Sequence, residues 1–321
     1  MSSVAPIKLP VDQATENQLE RGERSIAKRT KHRLTNKWAT LAALLIAVLW
    51  TVPTFGLFVS SLRPAALVNS TGWWTIFENW GFTLDNYAEV LKSGNGTLDL
   101  AGSFVNSLAI TIPATVFPLV IASLAAYAFA WIDFKGRDWL FVGVFALQIV
   151  PIQMALVPLL SLFSRGASFG NTQVFEGLNA SGSYAQVWIA HTIFALPLAI
   201  FLLHNFVSEI PRELVEAARV DGAGHGQIFF RIVLPLTMPA IAAFAIFQFL
   251  WVWNDLLVAL VFADGAVAPV TKLLAEITGS RGQDWYLLTA GAFISILIPL
   301  VVFFALQRYF VRGLLAGSTK G

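Results

Sequence analysis

The chain has 321 residues, 56% of them hydrophobic and only 12% charged, with a formal net charge of +2. A soluble domain carries about 25% charged residues, so this composition excludes one and marks an integral membrane protein. The absence of cysteine further excludes disulfides, thiolate metal sites and a cysteine nucleophile.

Residues 1–37 are polar, and Arg21, Arg24, Lys28, Arg29, Lys31, Arg33 and Lys37 crowd the end nearest the first apolar stretch. A basic cluster in that position reads as a cytoplasmic anchor facing anionic lipid, not as a nucleic-acid site. The first span runs from Trp38 to Leu62 and is too long for a signal-peptide core, so it is read as retained. A polar stretch follows, with Trp73, Trp74 and Trp80 suited to a membrane–water boundary. Within it, Thr83–Lys92 predicts a helix capped by Thr83, with Leu84, Tyr87 and Leu91 on one face.

Further spans are predicted at Phe104–Trp131, Trp139–Phe163, Val187–Val207, Leu236–Phe262 and Leu287–Ala305, each close to or above the ~20 residues that a ~30 Å hydrocarbon core requires. With the N-terminus inside, sixteen Lys and Arg fall on the inner side and five on the outer, which agrees with the positive-inside rule. Both termini are therefore expected in the cytoplasm. The organisation is a basic N-terminal segment (1–37), a six-span domain (38–308) and a C-terminal tail (309–321).

One inner connection stands apart. Between spans four and five, Pro211–His225 is polar and helix-prone, and Ile232-Val-Leu-Pro235 and Pro239 follow. Pro211 suits the first turn of a helix, and Glu213 and Glu216 complement the positive end of its dipole. Ala217 and Ala218 allow close approach of another backbone, and Asp221-Gly222 supplies a turn. The cluster Gly222-Ala-Gly224-His-Gly226 is not a phosphate loop, since no strand precedes it and no Gly-Lys-Ser/Thr follows.

The run Glu216-Ala217-Ala218, Asp221-Gly222-Ala223, Ile232 and Leu234-Pro235 resembles the "EAA" loop of ABC-importer permease subunits. With Phe230, Pro239, Asn106-Ser107, Trp253-Asn254-Asp255 and the ending Gln307–Gly317, the chain is similar to the carbohydrate-uptake branch that includes the smaller maltose permease subunit. Ser60-Ser-Leu-Arg-Pro64 and Gly72-Trp-Trp74 look similar to permeases for α-glucosides. The resemblance implies an all-α membrane protein with six transmembrane helices and a cytoplasmic coupling helix between spans four and five. It implies Glu213, Glu216, Ala217, Ala218, Asp221, Gly222, Leu234 and Pro235 as the residues coupling to an ATPase. The implied partners are a second homologous permease, an ABC ATPase dimer and an extracytoplasmic sugar-binding protein, in a bacterial cell membrane. ATP and magnesium are then held by the ATPase subunits, and this chain binds no cofactor or metal and catalyses nothing.

Polar groups within spans are costly in lipid and face a cavity or a neighbouring helix. A path for a neutral polyol wants amides and aromatic faces with little fixed charge. Gln148, Gln153 and Asn254 are the candidate pathway residues, and Asp255, set near the outer end of its span, is a candidate outer gate. His191 and His204 have no carboxylate or histidine at ligand spacing within their span, which argues against metal. The alternatives are an ABC permease for another small solute, or a stand-alone ion-coupled transporter; the latter calls for paired intramembrane carboxylates, and only Asp255 is available.

Overall fold

The structure is a computed structural model that describes residues 37–92, 99–170, 172–177, 182–277 and 284–316. The expected basic anchor before Lys37 lies outside the described residues. The chain divides into two compact units, Met1–Val59 and Ser60–Gly321.

The first unit contains most of α1 (Lys37–Ser61), an apolar helix with Pro53 in its interior. The second opens on α2 (Ala65–Ser70), a 3-10 turn over Trp73–Phe77 and α3 (Asp85–Leu91). This stretch is held by a buried arginine. Arg63 donates through Nη1 to the Gly72 carbonyl (2.8 Å) and through Nη2 to the Thr71 and Thr75 hydroxyls (3.0 and 3.2 Å). Asn86 on α3 donates to the carbonyls of Ser61 (3.0 Å) and Arg63 (2.8 Å). The expected face of α3 is therefore wrong. Asn86 and Val90 point inward while Leu84 and Leu91 are exposed, because the tertiary role of one buried amide overrides the apolar periodicity. The expected cap is also displaced: Leu84 holds the cap position without a side-chain cap bond, and Thr83, one residue earlier, accepts from the Asp85 amide at 3.0 Å.

The long helices come next: α4 (Leu100–Trp131), α5 (Arg137–Ala146) and α6 (Ile152–Arg165). A short two-stranded antiparallel hairpin, β1 (Ala167–Phe169) with β2 (Thr172–Phe175), follows α6 within a predominantly helical chain consistent with the all-α expectation. Then come α7 (Tyr184–Ser208), α8 (Arg212–Val220), α9 (His225–Ile228) and α10 (Leu234–Trp253), with α9 joined to α10 through a widened π turn at Phe229–Val233. The chain ends with α11 (Leu257–Phe262), α12 (Val270–Ile277) and α13 (Trp285–Ala316).

Among the described residues, five helices are long and apolar enough to cross a membrane: Lys37–Ser61, Leu100–Trp131, Tyr184–Ser208, His225–Trp253 and Trp285–Ala305. The predicted third span is instead a broken pair, Arg137–Ile149 and Ile152–Arg165, bent by 105°. Pro151 is the cause. Its ring disfavours the helical region for the residue before it, and Val150 is extended at ψ 118. The predicted fifth span is displaced. Its helix begins at His225, eleven residues before Leu236, and stops at Trp253, leaving Asn254–Leu256 as a break before α11.

α4 and α7 share the most extensive helix contact, through small residues: Ala122, Ala126 and Ala199 are fully buried. Such faces let apolar helices approach closely where no hydrophobic force drives them together in lipid. One cluster at this interface joins α4 and α7 to Val215 of α8 and to Ile228, Phe229 and Val233. A second joins α4 and α7 to Leu156, Leu159 and Phe163 of α6 and to Val258 and Phe262 of α11.

Candidate functional site

Pro211 occupies the cap position of α8 with φ −54, and Glu213 lies in the first turn, where a carboxylate opposes the positive helix end. Fixing a nine-residue helix needs tertiary contacts, since isolated helices this short are marginal. Val215 supplies the main one: it is fully buried in the α4–α7 cluster.

The C-terminal end of α8 is closed by a Schellman motif. The Ala223 amide donates to the Ala218 carbonyl (2.9 Å) and the Gly222 amide to the Arg219 carbonyl (3.0 Å). Gly222 sits at φ +84, a conformation that a side chain makes costly. Ala218 and Ala223 pack together against the same cluster. Ala218 is thus turned toward the protein's own core, whereas Glu213, Glu216, Ala217 and Asp221 are exposed. The outward face also carries Leu214 and Val220, the latter 88% exposed. Sequence reasoning passed over these two apolar side chains, although a valine on a polar helix is a readable signal.

Two hydrogen bonds tie this loop to the end of α4. The Arg219 guanidinium donates through Nη2 to the Trp131 carbonyl at 3.2 Å, and the Tyr127 hydroxyl and His225 Nδ1 share a hydrogen bond at 2.9 Å. The Tyr127 ring also meets Phe229 edge-on, with centroids 5.5 Å apart. A cavity of about 540 Å³ lies beside α8, with Arg212, Glu216, Trp131, Arg137 and His204 among its walls. Leu234-Pro235 acts on helix shape. Proline clashes with the carbonyl four residues earlier, here Arg231, and that carbonyl lies inside the π turn.

The three candidate pathway amides lie apart from α8 but share one feature. Gln148 and Gln153 flank the Pro151 break, Asn254 begins the break after α10, and all three are exposed. The Asn254 amide donates to the Leu250 carbonyl at 2.8 Å. Gln248, by contrast, is fully buried and donates to the Ala114 carbonyl at 3.2 Å, which makes it a helix–helix tie.

Asp255, the candidate outer gate, is largely enclosed. Its side chain is 13% exposed, its Oδ2 accepts from the amides of Val258 (2.9 Å) and Ala259 (3.3 Å), and it lies 3.9 Å from His191 Nε2. The carboxylate missing from the histidine's own span arrives from another element, which spacing along the sequence cannot reveal. Asn106-Ser107 on α4 anchors the segment that follows. Asn106 donates to the carbonyls of Ala266 (2.9 Å) and Ala268 (3.0 Å), and the Ser107 hydroxyl accepts from the Val270 amide (2.9 Å). In the same segment, Lys272 Nζ donates to the Ala263 carbonyl and to Asp264, holding that carboxyl below the usual carboxylate range.

Long apolar helices, two of them joined by a clamped polar helix, are the architecture of a polytopic membrane protein. The chain belongs to the family described as "Binding-protein-dependent transport system inner membrane component", which its residues 118–315 match. It is 53% identical over 299 residues to the osmoprotective compounds uptake permease protein of Synechocystis sp., covering 90% of this chain and 95% of that protein. It is 54% identical over 242 residues to the alpha-glucoside transport system permease protein of Rhizobium meliloti, covering 75% of this chain and 61% of that protein. The melibiose/raffinose/stachyose import permease protein of Bacillus subtilis is 32% identical over 288 residues, covering 88% of this chain and 96% of that protein. Its fold is shared with a subunit of a bacterial alginate ABC transporter solved in complex with an alginate pentasaccharide-bound periplasmic protein. That likeness has a TM-score of 0.64 at 15% identity, over 86% of this chain and 95% of the other. The protein is a permease component of an ABC importer whose homologues include sugar permeases.

Proposed function

We propose that the protein imports a neutral sugar of the α-glucoside or oligosaccharide class as one half of a transmembrane pore. The second half is a homologous permease, two ATPase subunits bind ATP and magnesium in the cytoplasm, and an extracytoplasmic protein delivers the sugar. α8 is the coupling helix: Glu213, Glu216, Ala217 and Asp221 meet the ATPase, Ala218 and Gly222 shape the peg, and Leu234-Pro235 sets the helix that leaves it. The observation that carries this reading is the clamping of a short, charged helix onto the ends of three long apolar helices. A peg so fixed transmits displacement instead of absorbing it.

In this reading six spans cross the membrane, the bent pair at Pro151 counting as one, and residues 1–37 and 309–321 lie in the cytoplasm. Irregular backbone at membrane depth is tolerated only where protein buries it or a water-filled cavity meets it. Gln148, Gln153 and Asn254 are exposed at such irregularities, which supports placing them on the sugar path, as at the discontinuous helices of other transporters. Asp255, beside His191, is then the outer gate. The sugar class rests on the names of the relatives and on the neutral, amide-rich character of these positions.

The test is uptake of a labelled α-glucoside by a deletion strain carrying Glu216→Lys. A charge reversal at a docking carboxylate costs several kcal/mol, so uptake falls at least ~10-fold while the protein stays in the membrane. Uptake at the unaltered rate would overturn the coupling role.

A further inference from the structure

The clamp at the end of α4 has a consequence for which helix moves. Tyr127 and Trp131 are one turn apart and so share one face of α4. That face is gripped twice by the α8 loop, once on each side of the Schellman turn: by Arg219 in the last turn of α8, and by His225 at the first residue of α9. The Trp131 carbonyl belongs to the orphan carbonyls that end a helix, where a guanidinium is favoured both as a donor and by the helix dipole. Tyr127 is 5% exposed, and its hydroxyl bonds the imidazole of His225, which is itself exposed. Further along α4, Ala122 and Ala126 pack in the α7 cluster, and the Ala114 carbonyl is bonded by Gln248 of α10.

We infer that Tyr127, Arg219 and His225 are positioning residues that join α4 rigidly to the coupling helix, so that α4 is driven directly and not dragged by its neighbours. This rests on α8 being the coupling helix. Without the joint, a push on α8 is taken up by bending at the Asp221–Gly224 turn and the π turn. With it, the ends of α4, α7 and α10 move as one body, and α4 carries the displacement to mid-membrane through its contacts with Gln248 and α7.

The test uses the complete transporter in nanodiscs, with its own ATPase, second permease and binding protein. Nitroxides are placed on Asp133→Cys and Gly226→Cys; the first site is exposed, the second has open space around it, and the native chain has no competing cysteine. The distance between labels should change by less than ~2 Å between nucleotide-free and ATP-trapped states, and a change of about one helical turn, ~5 Å, would overturn the joint. In parallel, the double variant Tyr127→Phe/Arg219→Met should co-purify with the ATPase yet transport roughly 5-fold to 10-fold less sugar per ATP, the scale of two lost hydrogen bonds, with Arg219→Lys in place of Met restoring much of it. An assembled double variant with the wild-type ratio overturns the inference. If that variant does not assemble, the label distance decides by itself. Failure of the unmutated α8 to capture any ATPase would instead sink the coupling reading.

Discussion

At the scale of single residues, Gly222 shows how a motif position can be about backbone and not contact. Its φ of +84 is required by the Schellman turn, and a Cβ there meets nothing within 4 Å, so the cost of a side chain is conformational. Gly222→Ala should therefore destabilise the loop by about 1–2 kcal/mol. Gly226→Ala, in the helical geometry of α9 with equally open space, should be neutral or stabilising by about 0.5–1 kcal/mol. Hydrogen exchange across residues 215–224 reads both, and equal protection in the two variants would contradict the assignment. The turn at Asp221-Gly222 was legible because only a few residue types tolerate it. The inward orientation of Ala218 was not, since two adjacent alanines do not say which one faces the core. The anchoring roles of Asn86 and Asn106 were equally hidden, because each depends on carbonyls distant in sequence.

At the scale of elements, apolar length was a reliable guide to which segments are long helices, and a poor one to where they stop. The helix entered at His225 begins in a polar stretch because His225 and Phe229 are held by Tyr127, a tertiary contact that no hydropathy window contains. The break at Pro151 was hidden for a different reason: proline within an apolar run also fits a kink, and Pro113, Pro118 and Pro197 stay inside continuous helices. What separates them is the surrounding geometry. Val150 takes up the extended conformation that proline favours in its predecessor, and the two halves part by 105°. Pro151→Ala removes the ring and allows a straight helix, an interior proline costing about 3 kcal/mol that alanine does not. The variant should assemble normally but lose at least ~10-fold in uptake if the exposed amides at the break belong to the path. Full uptake would detach Gln148 and Gln153 from transport.

At the scale of the whole molecule, the arrangement depends on sidedness. Lys and Arg are concentrated in the segment before Lys37, around Lys135 and Arg137, in the α8 loop and near the C-terminus, all of which fall on one side if six spans alternate. Locally, α8 is bonded to the end of α4 and shares a cavity with the connection into α5, so these basic connections lie near one end of the helices. The segment from Ala263 to Ile277 is anchored at Asn106 in the first part of α4, twenty-five residues of helix before Trp131, or about 38 Å at 1.5 Å per residue. That separation exceeds a hydrocarbon core of ~30 Å, so an α4 that crosses the membrane puts its two ends on opposite faces. Single cysteines placed in a chain that has none make the point measurable. A membrane-impermeant maleimide should label Gly226→Cys only in inside-out vesicles and Asp264→Cys only in intact spheroplasts. Labelling of Gly226→Cys in intact spheroplasts would place the α8 loop outside the cell, out of reach of any cytoplasmic ATPase, and the coupling reading would fall with it.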